Sequence, residues 1–190
     1  MKKAVCLLGV SSSKQLAFTA LFAALCAVST VIITIPLPNG YFNTGDVFVL
    51  CSGWFLGPLY GPLAAAVGSA LADIWCGFAL YAPATFIIKG IDAFVAYTVW
   101  RFIKNYIQKE GLDFLPRVLS ALLGELIMIA GYFLFEFVLY GLSGGIASLL
   151  GNALQAVCCA VLATAICSAL YPVKTIYNLF PALQKKSSKK

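Results

Sequence analysis

The sequence contains no histidine, which excludes the histidine-based metal sites common among zinc and iron enzymes. It also lacks a GxxxxGK[ST] phosphate loop. The chain therefore does not bind ATP by that route, and any energy it uses comes from a partner or an ion gradient. Charge is scarce: 11% of the 190 residues are charged, against about 25% in a soluble domain. The seven cysteines (Cys6, Cys26, Cys51, Cys76, Cys158, Cys159 and Cys167) are odd in number, show no CxxC spacing and mostly interrupt nothing in the apolar runs. They read as small buried hydrophobes rather than a disulfide framework or a metal site.

What is present is apolar. With 62% hydrophobic residues and a mean hydropathy of +0.94, the composition predicts an all-α, multi-pass membrane bundle with no room for a separate soluble domain. The expected spans are 15–35, 43–57, 62–78, 84–103, 116–139 and 146–171, followed by a polar basic tail over 174–190. The second is the shortest, with an apolar core of only Val47 to Leu56. The first is read as a retained span, because Lys14 interrupts its approach and no A-x-A site follows Leu25. Between the first two lies PLPNGYFNTGD, read as a loop.

Twelve of the thirteen basic residues fall at one set of span ends: Lys2, Lys3 and Lys14; Arg101, Lys104, Lys109 and Arg117; Lys174, Lys185, Lys186, Lys189 and Lys190. By the positive-inside rule this predicts six crossings of the cell membrane with both termini cytoplasmic. A net charge of +6 distributed in this way reports topology and not a nucleic-acid partner. The remaining basic residue, Lys89, lies within the fourth span.

A charge at bilayer depth costs about 2.5 to 3.5 kcal/mol on insertion scales and marks a cavity or a partner. Lys89 and Asp73 flank the turn WCGFALYAPAT, which places them at the outer end of neighbouring helices. Lys89 is open to pairing with Asp73, with Asp92 one turn on, or with a ligand. The candidate ligand contacts are Asn43, Asp46, Asp73, Trp75, Tyr81, Lys89, Glu136, Asn152 and Gln155, with Trp75 and Tyr81 placed to stack on a flat ring. Trp54 and Tyr132 read equally as interfacial anchors or as site aromatics.

Glu125 and Glu136, eleven residues apart, share a helix face. They leave open a membrane-embedded enzyme using paired carboxyls. A proton-driven secondary carrier and a purely structural assembly subunit are the other rivals. Gly61, Ala65, Gly68, Ser69 and Ala72 form a small-residue stripe that suits close helix packing. Ala20 and Ala24 repeat at i,i+4 in the first span, as do Ala23 and Ala27.

The stretch FNTGDVFVLCSGWFLGPLYGPLAAAVGSALADIWCGFALYAPATFIIKG, together with an alanine-rich first span ending in IPLP, resembles the substrate-binding S components of energy-coupling factor (ECF) vitamin transporters. Within that family it is similar to the riboflavin, hydroxymethylpyrimidine and pyridoxine branch. The resemblance covers roughly Gln15 to Tyr171. It implies capture of a small vitamin from outside, with no cofactor and no catalytic residue. The implied partners are a transmembrane T component and two cytoplasmic ATPase subunits. It also implies an AxxxA motif on the first helix, matched by Ala20 and Ala24, as the T-component docking site. The short second span departs from the pattern, and the lack of histidine argues against the nickel and cobalt branch.

Overall fold

Glycine and proline divide the apolar chain into helices that double back on one another. The computed structural model describes residues 12–37, 40–106 and 114–183. Cys6, Lys2, Lys3, Lys109, Lys185, Lys186, Lys189 and Lys190 lie outside them. The elements in order are α1 (Ser12–Ile32), β1 (Thr34–Leu37), β2 (Gly40–Asn43), α2 (Gly45–Trp75), α3 (Ala82–Tyr106), α4 (Phe114–Leu170) and α5 (Lys174–Leu179). A 3-10 turn, Pro181–Leu183, follows.

α2 and α4 each contain one residue outside helical space, Gly57 (φ 84°, ψ −169°) and Gly141 (φ 73°, ψ −171°). That conformation is essentially restricted to glycine, and at both positions the chain reverses. Ser52 donates its hydroxyl to the Gly61 carbonyl at 3.0 Å, although nine residues of straight helix would separate them by about 13 Å. Gly145 likewise lies against Phe133. Pro58 follows the first break, where a missing N–H leaves no helical bond broken, and Pro62 sits one turn on. The sequence GPLYGP is thus helix from Pro58 onward, and within YGLSGG only Gly141 leaves helical space.

Every residue from Gly45 to Gly57 is buried except half-buried Phe48. This short arm is the centre of the molecule, with α1, α3 and both arms of α4 around it. Trp54, Leu50, Phe55, Ala96, Trp100, Ala121 and Cys167 form the main core cluster. The predicted stripe of Gly61, Ala65, Gly68, Ser69 and Ala72 is buried. At Gly68 an added Cβ would lie 2.3 Å from the Ala23 carbonyl oxygen, so only glycine lets α1 and α2 approach this closely.

The outer surface is apolar, with leucine, isoleucine, valine and phenylalanine side chains exposed along α1, α3 and α4. Among the described residues three helical stretches are long and apolar enough to cross a membrane: Ser13–Ile32, Gly45–Trp75 and Phe114–Leu170. α3 is of similar length but carries Lys89, Asp92, Arg101 and Lys104.

One expectation is corrected. The fold is all-α as expected, but the presumed loop contains a short antiparallel hairpin pairing Thr34 with Asn43, Ile35 with Phe42, Pro36 with Tyr41 and Leu37 with Gly40. Pro36 is tolerated because a two-stranded ribbon has only edge strands. The first part of the polar basic tail turns back as α5 and the 3-10 turn. There Phe180 and Leu183 are buried, with the Phe180 ring against Phe18, Phe22 and Phe55 at 4.8, 6.2 and 5.0 Å.

At this end Arg117 is buried, 1% exposed, where the sequence suggested a surface flank. Its guanidinium lies between Trp54, Trp100 and Tyr171, 5.1 to 5.6 Å from their centroids, a favourable arrangement for a desolvated cation. Lys104 donates to the Tyr171 hydroxyl at 2.8 Å. The cysteines among the described residues are free: Cys26, Cys51, Cys159 and Cys167 are buried, while Cys76 is half-buried and Cys158 is exposed.

Candidate ligand-binding site

At the opposite end a polar network joins α1, the hairpin, α2, α3 and α4. Asp46 stands in the first turn of α2, where the helix dipole favours a carboxylate. Its Oδ1 meets Lys89 Nζ of α3 at 2.5 Å, with the side chains 1% and 3% exposed. Its Oδ2 accepts from Gln155 Nε2 at 2.6 Å. Gln155 Oε1 accepts in turn from the Asn43 backbone N–H at 2.8 Å and from Asn43 Nδ2 at 3.3 Å. Asn43 Oδ1 receives the Gly45 N–H at 2.8 Å and the Thr30 hydroxyl at 3.3 Å. A buried ion pair is tolerable when its remaining lone pairs and protons are satisfied in this way. Lys89 thus pairs with Asp46, not with Asp73 or Asp92, and its ammonium also lies 5.3 Å from the Tyr132 ring centroid.

This network is the floor of a cavity. Its walls are Gly40, Tyr41 and Asn43 of the hairpin, Asp73 at the end of α2, and Phe78 and Tyr81 of the connecting turn. Thr85 of α3 and Tyr132, Glu136, Asn152 and Gln155 of α4 complete them. The cavity is partly open to the outside and its volume is about 40 Å³, room for only a few waters, so a ring-sized ligand fits only by displacing side chains at the mouth.

The walls combine rings and hydrogen-bonding groups. Tyr41 packs on Phe78 at 4.9 Å, Phe78 on Tyr81 at 6.0 Å, and Tyr81 on Phe135 at 5.1 Å. The Tyr41 hydroxyl donates to Asp73 Oδ1. Burial, and next the Asp73 charge, push the Tyr41 phenol well above the usual tyrosine value, so it remains a donor. Thr85 and Tyr132 share a hydrogen bond of 2.9 Å. Asp73 Oδ2 and Asn152 Nδ2 have no hydrogen-bond partner among the described residues.

Of the nine residues singled out from sequence, six line the cavity: Asn43, Asp73, Tyr81, Glu136, Asn152 and Gln155. Asp46 and Lys89 do not line it but lie directly behind lining residues, Asp46 bonded to Gln155 and Lys89 beside the Tyr132 ring. Trp75 does not belong. It is 81% exposed and borders an apolar groove with Ala27, Val28, Val31, Ile32, Leu71 and Ala72. Being two residues past Asp73, it points about 200° around the helix from it.

Tyr41, Phe78 and Thr85 were missed. Tyr41 shares a strand face with Asn43 at i,i+2, and Thr85 sits one turn before Lys89, so periodicity held both signals. Glu125 and Asp92, 1% and 0% exposed, lie below the cavity lining. On α1, Ala20 and Ala24 are exposed while Ala23 and Ala27 are half-buried, with Ala23 against Gly68.

An apolar-surfaced helical bundle with a polar, aromatic-walled cavity at one end defines a membrane protein that binds a small molecule. The chain belongs to the family described as "ECF-type riboflavin transporter, S component", which matches residues 10–172. This is a family of substrate-binding transporter subunits and not of enzymes, which removes the acid–base reading of Glu125 and Glu136. A Pyrococcus woesei protein named "Uncharacterized protein in gap 3'region" is 33% identical over 132 residues, covering 68% of this chain and 83% of the relative.

Proposed function

We propose that the chain captures a water-soluble vitamin or precursor with a flat heteroaromatic ring, such as riboflavin, pyridoxine or hydroxymethylpyrimidine, from outside the cell. An ECF T component and two ATPase subunits then drive its release inward. The observation that carries this reading is the pair of unpartnered polar atoms, Asp73 Oδ2 and Asn152 Nδ2, in a cavity walled by Tyr41, Phe78, Tyr81 and Tyr132. Rings supply stacking area, and the open donor and acceptor supply orientation.

The membrane arrangement follows from the helix reversals. Six crossings arise if α1, the two arms of α2, α3 and the two arms of α4 each traverse the cell membrane. The described basic residues Lys14, Arg101, Lys104, Arg117 and Lys174 stand at helix ends opposite the cavity, which supports a cytoplasmic placing of both termini. The exposed Ala20 and Ala24 face offers a smooth surface to the T component, whereas Ala23 is already engaged inside the bundle.

The test is direct titration of the purified chain with these vitamins. Sub-micromolar binding, lost in both Asp73→Ala and Lys89→Ala, is expected, the second because it removes the floor. Binding indifferent to both substitutions would remove the site from consideration.

A further inference from the structure

The charge around the cavity is one-sided. Asp73 and Glu136 line it, and among the described residues no lysine or arginine does. The nearby ammonium, Lys89, is buried in the floor, held at 2.5 Å by Asp46 and covered by the Tyr132 ring. It is therefore not available to neutralise an incoming anion. Asp73 is itself 5% exposed. One of its oxygens takes the Tyr41 proton, and the other stands without a donor.

Thr85 and Tyr132 share one hydrogen bond, and Gln155 is committed to Asp46 and Asn43. Among the described residues that line the cavity, the fully buried side-chain atoms without a partner are one acceptor, Asp73 Oδ2, and one donor, Asn152 Nδ2. A buried polar atom without a partner is unfavourable, so the occupant that relieves both atoms supplies a donor and an acceptor of its own.

We propose that the site selects by charge: it takes an uncharged or cationic ring that donates a hydrogen bond to Asp73 Oδ2 and accepts one from Asn152 Nδ2, and it rejects anionic forms of that ring. The inference rests on the vitamin-capture reading above and names the chemical class that reading leaves open. A phosphate ester brings a second negative charge into a partly desolvated space already holding carboxyl groups. At separations of a few ångströms this repulsion lowers affinity by at least about tenfold.

The experiment is isothermal titration of the full chain in detergent with riboflavin, pyridoxine and hydroxymethylpyrimidine, each beside its monophosphate ester. The free compound that binds is expected to do so at least about tenfold more tightly than its ester. Asp73→Asn is expected to narrow that ratio at least about threefold while weakening the free compound. Glu136→Gln gives the same narrowing where the first variant does not fold. An ester that matches its parent on the unaltered chain overturns charge selection and leaves vitamin capture standing. A ratio unchanged in the folded variants overturns the role given to these carboxyls. If none of the six compounds binds, the capture reading fails and charge selection fails with it.

Discussion

Lys89 and Asp46, forty-three positions apart in the chain, form an ion pair of 2.5 Å in the floor of the cavity. The pair joins the central helix to α3, and Gln155 and Asn43 extend it to α4 and the hairpin. It gives the site a fixed base while leaving the walls free to respond to a ligand.

The pair sets the first prediction. Removing one partner of a buried ion pair leaves an uncompensated charge and destabilises by about 3 to 5 kcal/mol. Lys89→Met and Asp46→Leu are each expected to lower the unfolding midpoint in detergent, and the double variant to recover a large part of the loss. If the double variant is as unstable as the sum of the two, the pairing is not what stabilises this end.

Tyr41 sets the second. Tyr41→Phe deletes the donor to Asp73, a hydrogen bond to a charged group and therefore worth about 1.5 to 3 kcal/mol. The sign with pH follows from the phenol being raised in the folded chain. Its stabilising contribution is complete below the unfolded tyrosine value near about 10 and is lost as pH rises above that value. Stability measured between about pH 9 and about pH 11, one unit on either side of that value, is expected to fall more steeply for the unaltered chain than for Tyr41→Phe.

A third prediction separates backbone strain from packing. At Gly141 an added Cβ meets nothing within 4 Å, so Gly141→Ala tests only the φ of 73°. A destabilisation of about 1 to 3 kcal/mol is expected, read from the thermal unfolding midpoint. A variant as stable as the parent contradicts a glycine-specific hinge.

The aromatic residues give the fourth. Trp75→Ala is expected to leave vitamin affinity unchanged, because Trp75 lies outside the cavity. Tyr81→Ala is expected to weaken it by about 0.5 to 1.5 kcal/mol through lost ring contact. Equal effects in titration would mean that the exposed tryptophan reaches the ligand.

The fifth concerns assembly. Ala24→Leu enlarges an exposed position on α1 and is expected to impair co-purification with the T component while vitamin titration stays the same. Retained co-purification would place docking elsewhere.

Much of the helical plan was legible because 3.6-residue periodicity and long apolar runs are strong signals. The hairpin was not, because IPLPNGYFN carries two prolines that argue against strand. The Lys89 partner was hidden for a different reason. Asp92 at i+3 looks nearest along the helix, but its side chain packs toward Gly124 of α4, where an added Cβ would lie 2.3 Å from Asp92 Oδ1. The true partner sits on an arm too short to read as an ordinary span. Trp75 shows the reverse: the 100° step of the helix already placed it away from Asp73, and its aromatic character outweighed that geometry.

Arm 45–56 reaches only about 18 Å, well short of the roughly 30 Å hydrocarbon layer, yet neighbouring helices enclose it on nearly every side. Thinning or thickening of the surrounding lipid is therefore expected to fall on the peripheral helices, with Asp46 keeping its depth relative to them. A recognition site mounted on such an insulated post would hold its shape in membranes of different composition.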